Sequence, residues 1–336
     1  MRRERFLIFV MVLIGVISIG ISVNRAEAAP IKLTYSTHFP AQHAQYKAAV
    51  GWAKEIEKRT QGGVQISMFP GGTLTKLPQL YDGVLKGISD IGFGIFAISR
   101  GRFPVMSALD LPMAYPSGTV ATRAANEFAR AVNPKEIQNV KLLYLHGHGP
   151  GMLFTKKPIR SLEEVRGVKI RATGTSAKVV KALGGVPVAL PIGGTYEALQ
   201  KGIAEGTFAS MEALKGFKLA EVTKSVTKCI TVGYTTTFFV VMNKDKWASL
   251  PDNIKKIFEQ VSEEWADVHG KTWDETDKEG LSYARGLGNE IVELSQEENA
   301  KWKKAVGTVI DDYRAKTPNG GEYVEKIQAL VKKYSK

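Results

Sequence analysis

Gly167-Val-Lys-Ile-Arg-Ala-Thr-Gly-Thr175 is the stretch on which the fold turns. Val168, Ile170 and Ala172 alternate with Lys169 and Arg171 as a strand does, and Thr173-Gly174 then breaks the strand and opens a helix at Thr175. The helix predicted over 175–183 is followed by a strand over 186–190, the strand-helix-strand order that builds a parallel sheet. Arg171 stands where the first strand gives way to a helix N-terminus. There a guanidinium fork and free backbone N–H groups can meet one anion together. The alternative for Arg171 is an ion pair with a carboxylate from a neighbouring strand.

The same alternation runs upstream. Ile31, Leu33 and Tyr35 read as a strand, Tyr46, Ala49, Val50, Ala53 and Ile56 recur at helical spacing as far as Gly62-Gly63, and Val64 to Phe69 alternates again. A second helix carries Leu77 to Leu85 and 90–96 reads as a buried strand, which predicts a largely parallel sheet covered by helices on both faces. A helix over 119–131 and a strand over 140–145 follow, and the small residues of Gly147–Gly151 mark a first crossing into a second block. In that block Ser161-Leu-Glu-Glu164 has capping-box form at the start of a short helix. A helix over 194–201 and strands over 207–210 and 227–232 come after the stretch quoted above. Residues 236–242 read as a strand running back into the first block. Pro251-Asp252 starts a long helix, with Ile254, Ile257, Phe258, Val261, Trp265 and Val268 on one face, that either bends near Gly270 or continues to about Arg285. Helices over about 296–314 and 321–333 end the chain.

Residues 1–28 read as a secretory signal peptide: Arg2, Arg3 and Arg5 precede an apolar run from Phe6 to Val23, and Ala26-Glu27-Ala28 supplies a cleavage site. An uncleaved anchor is the alternative, and Gly15, Ser18 and Gly20 within the run argue against it. The formal charge of +13 includes four basic and two acidic side chains in that leader, so the remainder keeps +11. Its Lys and Arg are dispersed beside Glu and Asp with no basic run interleaved with aromatics, which argues against nucleic acid and leaves a positive field that attracts small anions. The single cysteine, Cys229, permits no intrachain disulfide and reads as a small core hydrophobe. His146 and His148 share a strand face, but no Cys or acidic cluster completes a metal site. Gly147–Gly151 lacks both the Walker lysine and the dinucleotide fingerprint, and there is no G-x-S-x-G elbow and no Cys–His pair. No metal, no cofactor and no catalytic nucleophile is expected.

Pro158-Ile-Arg-Ser-Leu-Glu-Glu-Val-Arg-Gly167-Val-Lys-Ile-Arg171, Ala182-Leu-Gly-Gly-Val-Pro187-Val and Tyr196-Glu-Ala-Leu-Gln-Lys-Gly202 resemble the DctP family, the solute-binding proteins of TRAP transporters. Gly206, Phe217-Lys-Leu, Met242-Asn-Lys-Asp-Lys-Trp247 and Leu250-Pro251 extend the resemblance in order over nearly the whole chain beyond the leader. It implies an α/β, two-domain periplasmic-binding-protein-like fold: mixed sheets flanked by helices, hinge strands and a long domain-spanning helix. Domain I would take 29–149 and 241–280, and domain II 150–240 and 281–336. The implied protein is a monomeric periplasmic receptor, not an enzyme, that closes on a small organic anion and delivers it to the membrane permease subunits of an ion-driven transporter. In that family an arginine at the position of Arg171 pairs with a carboxylate. Two departures matter. Pro150 falls where many members carry a second arginine, and Ala209 falls where an asparagine ligand is usual. With Phe208, Ala209 and Met211 in place of polar groups, the pocket is expected to favour a monocarboxylate with an apolar or aromatic body.

Other candidate contacts follow from position. Thr173 adds a hydroxyl at the helix start, or serves as a plain cap. His38 and Phe39 follow the first strand in a loop that would face the cleft of an open α/β domain. Phe93 is preferred to Phe96 because Gly92 and Gly94 beside it allow close backbone approach. Phe208 stands where the resemblance puts a polar pocket group, Tyr234 offers a phenol before the returning strand, and Glu212, where the resembling subset places an acidic residue near the pocket, accepts from a ligand hydroxyl or ammonium, pairs with Arg171 when the site is empty, or has an unrelated surface role. His148 completes the set. On the same scaffold an exported enzyme would use His38, His148 and Glu212 as acid and base groups, and a ligand sensor would hand occupancy to a membrane partner.

Overall fold

Strand β1 (Ile31–Thr37) opens the first sheet and pairs in parallel with β2 (Val64–Phe69) on one side and β3 (Ile91–Ile95) on the other. The computed structural model describes residues 29–99 and 101–336, and the signal peptide read at 1–28 lies outside the described residues. Helix α1 (Ala44–Arg59) makes the first crossover: His43 caps it by accepting the Gln45 N–H, and Ala49, Trp52, Ala53 and Ile56 bury one face. Helix α2 (Leu80–Leu85) makes the second. Helix α3 (Gly118–Val132) precedes β4 (Val140–Gly147), which lies at the far edge.

The second sheet contains β5 (Met152–Thr155), β6 (Lys169–Ala172), β7 (Val186–Ala189), β8 (Gly206–Ala209) and β9 (Ser225–Lys228), with α4 (Thr175–Ala182), α5 (Thr195–Gln200) and α6 (Ala213–Gly216) between strands. The chain then returns through β10 (Thr237–Asn243) to the first sheet, whose order is β2-β1-β3-β10-β4. Because β10 arrives from the second lobe it runs antiparallel to both neighbours, so the sheet expected to be largely parallel is mixed. Phe239 and Val241 of β10 enter the core on one face of this sheet and Phe238, Val240 and Met242 the core on the other.

After α7 (Lys244–Ser249), helix α8 (Asp252–Gly286) runs 35 residues, about 50 Å, without a break at Gly270. A Cβ at Gly270 would lie 3.1 Å from Thr119 Cα, so the glycine lets α3 come close and introduces no bend. The helix packs on α1 and α3 in the first lobe and on α6 in the second. Asp274 accepts the Gly118 and Thr119 N–H groups at 2.6 and 3.1 Å and so caps α3. Asp277, one turn further on, accepts the Glu212 N–H at 2.7 Å in the second lobe. Strand β11 (Glu290–Glu293) then completes the second sheet in the order β11-β9-β5-β8-β6-β7. Helices α9 (Gln296–Lys316) and α10 (Gly320–Tyr334) follow, and α10 rests on α3, with Lys333 Nζ 2.7 Å from Glu127.

Three local readings change. The strand expected at 227–232 is β9, two residues earlier, and Cys229 to Val232 is a turn closed by the Val232 N–H on the Cys229 carbonyl at 2.9 Å. The helix expected at Ser161 is a single 3-10 turn, Glu163–Val165, stopped by Gly167 at φ 75°. Strands β5 and β11 are not among the strands read from the sequence: each is four residues long, and β11 is an edge strand with a charged residue at either end.

Candidate ligand site

Arg171 is the penultimate residue of β6, between β8 and β7, and is only 6% exposed. Its Nε donates to the Leu190 carbonyl at 2.9 Å and its Nη2 to Thr173 Oγ1 at 2.8 Å. Neither acceptor carries a charge. No carboxylate among the described residues pairs with it, and burial lowers its pKa to about 10, which still leaves it a cation at neutral pH. The turn that follows needs glycine: Gly174 has φ 59°, and a Cβ there would lie 2.5 Å from the Ala97 Cβ of the first lobe. The two lobes are therefore in contact beside the arginine.

A cavity of about 70 Å³ opens beside Arg171. From the second lobe Thr173, Ser176, Ile192, Phe208 and Glu212 border it, and Tyr234 borders it from the segment returning to β10. His38, Phe39 and His148 border it from the first lobe, with Phe238 of β10 and Trp273 of α8. Aromatic and imidazole rings form much of its wall. Phe238 and Trp273 stack at 5.2 Å and 24°, Phe208 meets Tyr234 edge-on at 5.9 Å, and His38 packs on Phe39 at 4.2 Å. The Tyr234 ring needs Gly151 beneath it, since a Cβ there would sit 2.0 Å from the ring.

Phe93 does not border the cavity. It is fully buried behind His38 and Phe39, edge-on to His146 at 4.8 Å. Gly92 and Gly94, read as room for a ligand, make room for the core instead: a Cβ on Gly92 would meet Val84 at 2.5 Å and one on Gly94 would meet Phe239 at 2.8 Å. Met211 is also absent from the wall, and its carbonyl lies against Gly280 of α8. Trp273, Phe217 and Phe238 are wall residues not read as such from the sequence. The apolar face of the long helix continues through Trp273, but which end of that face meets the cavity is a tertiary matter.

Glu212 does not pair with Arg171. Its Oε1 lies 2.8 Å from His43 Nε2, and both side chains are nearly fully buried. Because His43 Nδ1 accepts the Gln45 N–H, a neutral ring carries its proton on Nε2, next to the carboxylate but without hydrogen-bond geometry to it. The contact joins the cap of α1 in the first lobe to the loop after β8 in the second.

All five histidines of the chain belong to one network of rings. His38 and His43 flank Phe39, His146 stacks on Phe238 at 4.9 Å and on His269 at 4.4 Å, and His148 meets Phe238 edge-on. Burial lowers the pKa of His38 and His269 to about 3 and that of His148 to about 4, and it pulls His146 well below the usual imidazole value. His146 Nδ1 accepts the Trp273 indole N–H at 2.9 Å, so the ring is part of the wall's support. Among the described residues no group of three His, Cys, Asp or Glu side chains is placed to hold a metal ion.

A buried cation beside a cavity lined in part by rings, between two α/β lobes, is an arrangement that suits an anion-binding protein, and the comparisons agree. The family model for bacterial extracellular solute-binding protein, family 7 (DctP) matches residues 35–317. A TRAP periplasmic solute-binding protein from Desulfovibrio salexigens, an open complex with the C-terminus of a symmetry mate in its ligand site, is 33% identical, with a TM-score of 0.81 over 91% of this chain and 97% of that one. A marine metagenome TRAP solute-binding protein specific for aromatic acid ligands, in complex with 3-hydroxybenzoate, is 28% identical, with a TM-score of 0.86 over 91% and 99%. A TRAP protein from Bordetella bronchiseptica with bound (R)- and (S)-mandelate is 29% identical, with a TM-score of 0.82 over 91% and 100%.

The chain belongs to the DctP family of TRAP-transporter solute-binding proteins. These are binding proteins and not enzymes, they take small organic anions, and they work with membrane permease subunits. No described helix is long and apolar enough to cross a membrane.

Proposed function

We propose that this receptor captures a small monocarboxylate with an apolar or aromatic body, closes on it as a monomer in the periplasm after loss of residues 1–28, and hands it to the permease. The observation that carries the reading is Arg171, a guanidinium 6% exposed with only neutral acceptors around it. A buried charge without a counter-charge is costly, and a ligand carboxylate removes that cost. Thr173 orients the fork, and Phe39, Phe208, Tyr234, Phe238 and Trp273 supply apolar surface for the ligand's body, with His38 and His148 completing the enclosure. Among the described residues no second arginine borders the cavity to meet a second carboxylate. The aromatic acids bound by the marine and Bordetella proteins point the same way.

Thermal unfolding measured against a panel of acids tests this, because a ligand that binds only the folded state raises apparent stability as RT ln(1 + [L]/Kd). Benzoates and phenylacetates are expected to raise the midpoint by several degrees at millimolar concentration, and succinate, malate and hexuronates to leave it unchanged. The reverse order overturns the proposal.

A further inference from the structure

We infer that Glu212, held in place by His43, accepts a hydrogen bond from a hydroxyl on the ligand's body, so that the receptor selects hydroxylated aromatic monocarboxylates over their unsubstituted parents. The inference rests on the reading above, in which Arg171 takes the carboxylate.

Glu212 is 4% exposed and borders the cavity. An ionised carboxylate has room for about four donors. Among the described residues Glu212 has one close partner, His43 Nε2, which reaches Oε1. Oε1 is also packed against Gly216, where a Cβ would lie 1.7 Å away. Oε2 has no donor among the described residues, and the side chain borders the cavity.

The backbone that carries the side chain is pinned. Asp277 of α8 accepts the Glu212 N–H at 2.7 Å, and Gly280 brings that helix so close that a Cβ would touch the Met211 carbonyl at 1.9 Å. A locked acceptor with an unfilled lone pair in a mostly apolar enclosure rewards a ligand that brings a donor and penalises one that does not. A hydroxyl fits better than an ammonium. It carries one donor, whereas an ammonium would bury three N–H bonds beside Phe39 and Phe217.

Calorimetric titration of benzoate, 3- and 4-hydroxybenzoate and the matching methoxybenzoates tests this on the wild type, Glu212→Leu, Glu212→Gln and Arg171→Met, with the melting temperature of each unliganded protein checked first. The wild type is expected to bind at least one hydroxybenzoate about tenfold or more tighter than both benzoate and the methyl ether. Glu212→Leu brings the three within about twofold, Glu212→Gln narrows the gap with the cavity's shape kept, and Arg171→Met loses all of them. If Glu212→Leu does not fold, Glu212→Gln decides alone. Equal wild-type affinity for benzoate and both hydroxybenzoates overturns the inference and leaves the carboxylate reading standing, as does equal weakening of every ligand in the Glu212 variants. Tighter binding of aminobenzylamine-type or amino-acid ligands also overturns it. If no aromatic acid binds at all, the carboxylate reading falls and this inference with it.

Discussion

Arg171 at the end of β6 and Glu212 in the loop after the neighbouring β8 border the same cavity, and they do not neutralise each other. Each is tied back by its own lobe or the opposite one: Arg171 by Leu190 and Thr173, Glu212 by His43. Two oppositely charged groups kept apart at one cavity leave both with unfilled hydrogen-bonding capacity. That capacity is available to a guest.

Arg171→Met is expected to weaken binding of any carboxylate ligand by at least about 100-fold, or about 3 kcal/mol, through loss of two charge-assisted hydrogen bonds. The unliganded protein should melt no lower than the wild type, because the substitution removes a buried unpaired charge and retains most of the volume. Calorimetry and thermal unfolding of the same variant measure the two effects. A variant that unfolds well before the wild type while binding normally contradicts the assigned role.

Trp273 is the one tryptophan, of five in the chain, that borders the cavity. Ligand should therefore change the intrinsic fluorescence, and Trp273→Phe should abolish most of that change. The same substitution removes the indole N–H from His146 Nδ1 and is expected to cost about 1–3 kcal/mol of stability. An undiminished ligand-induced signal in Trp273→Phe would place the ligand elsewhere.

Strand-to-loop exits were legible in the chain because alternation and glycine breaks mark where a strand ends, and ends of neighbouring strands gather on one side of a sheet. Phe208 and Glu212 came from the family resemblance, and His38, Phe39, Arg171 and Thr173, all bordering the candidate cavity, were read in that way. Trp273 and Phe217 were not, because a residue in mid-helix or after a short turn reaches the cavity only through the docking of one element on another. Phe93 shows the converse: adjacent glycines signal close approach, but the sequence does not say whether a ligand or Val84 does the approaching. The short strands β5 and β11 carry too few residues for alternation to show.

Stability should peak near pH 6.5 and fall on both sides. His38, His148 and His269, with folded values of about 3 to 4, and His146, lower still than its usual value, contribute stability that is present above the unfolded imidazole value of about 6.5 and is lost as pH falls through their folded values. Buried Asp110 and Asp277 are raised by burial to about 7 and about 8, so their contribution is present at low pH and is lost as pH rises through those values. Between about pH 4 and 6.5 the four imidazoles outweigh the two carboxylates. Asp110→Asn, which keeps an acceptor for the Thr237 N–H, should flatten the alkaline limb in melting curves from pH 5 to 9. A midpoint that climbs steadily from pH 6.5 to 9 would contradict this balance.

Gly280→Ala and Gly286→Ala, six residues apart on α8, should have opposite signs. The first drives a methyl into the Met211 carbonyl and is expected to cost about 2–3 kcal/mol. The second meets nothing within 4 Å and should gain about 0.5–1 kcal/mol from helix propensity. Urea unfolding of both variants gives the comparison, and equal effects would mean that α8 does not press on the Glu212 loop.

The gathering of every histidine into one ring network has a practical consequence for watching the receptor at work. A protein labelled with 15N only at histidine would yield imidazole resonances from the cavity's surroundings and from nowhere else. His43 would report the contact across the lobes, His38 and His148 the walls, and His146 and His269 the packing behind them. Opening, closing and occupancy could then be followed separately in one spectrum, with no signal from the remainder of the molecule to subtract.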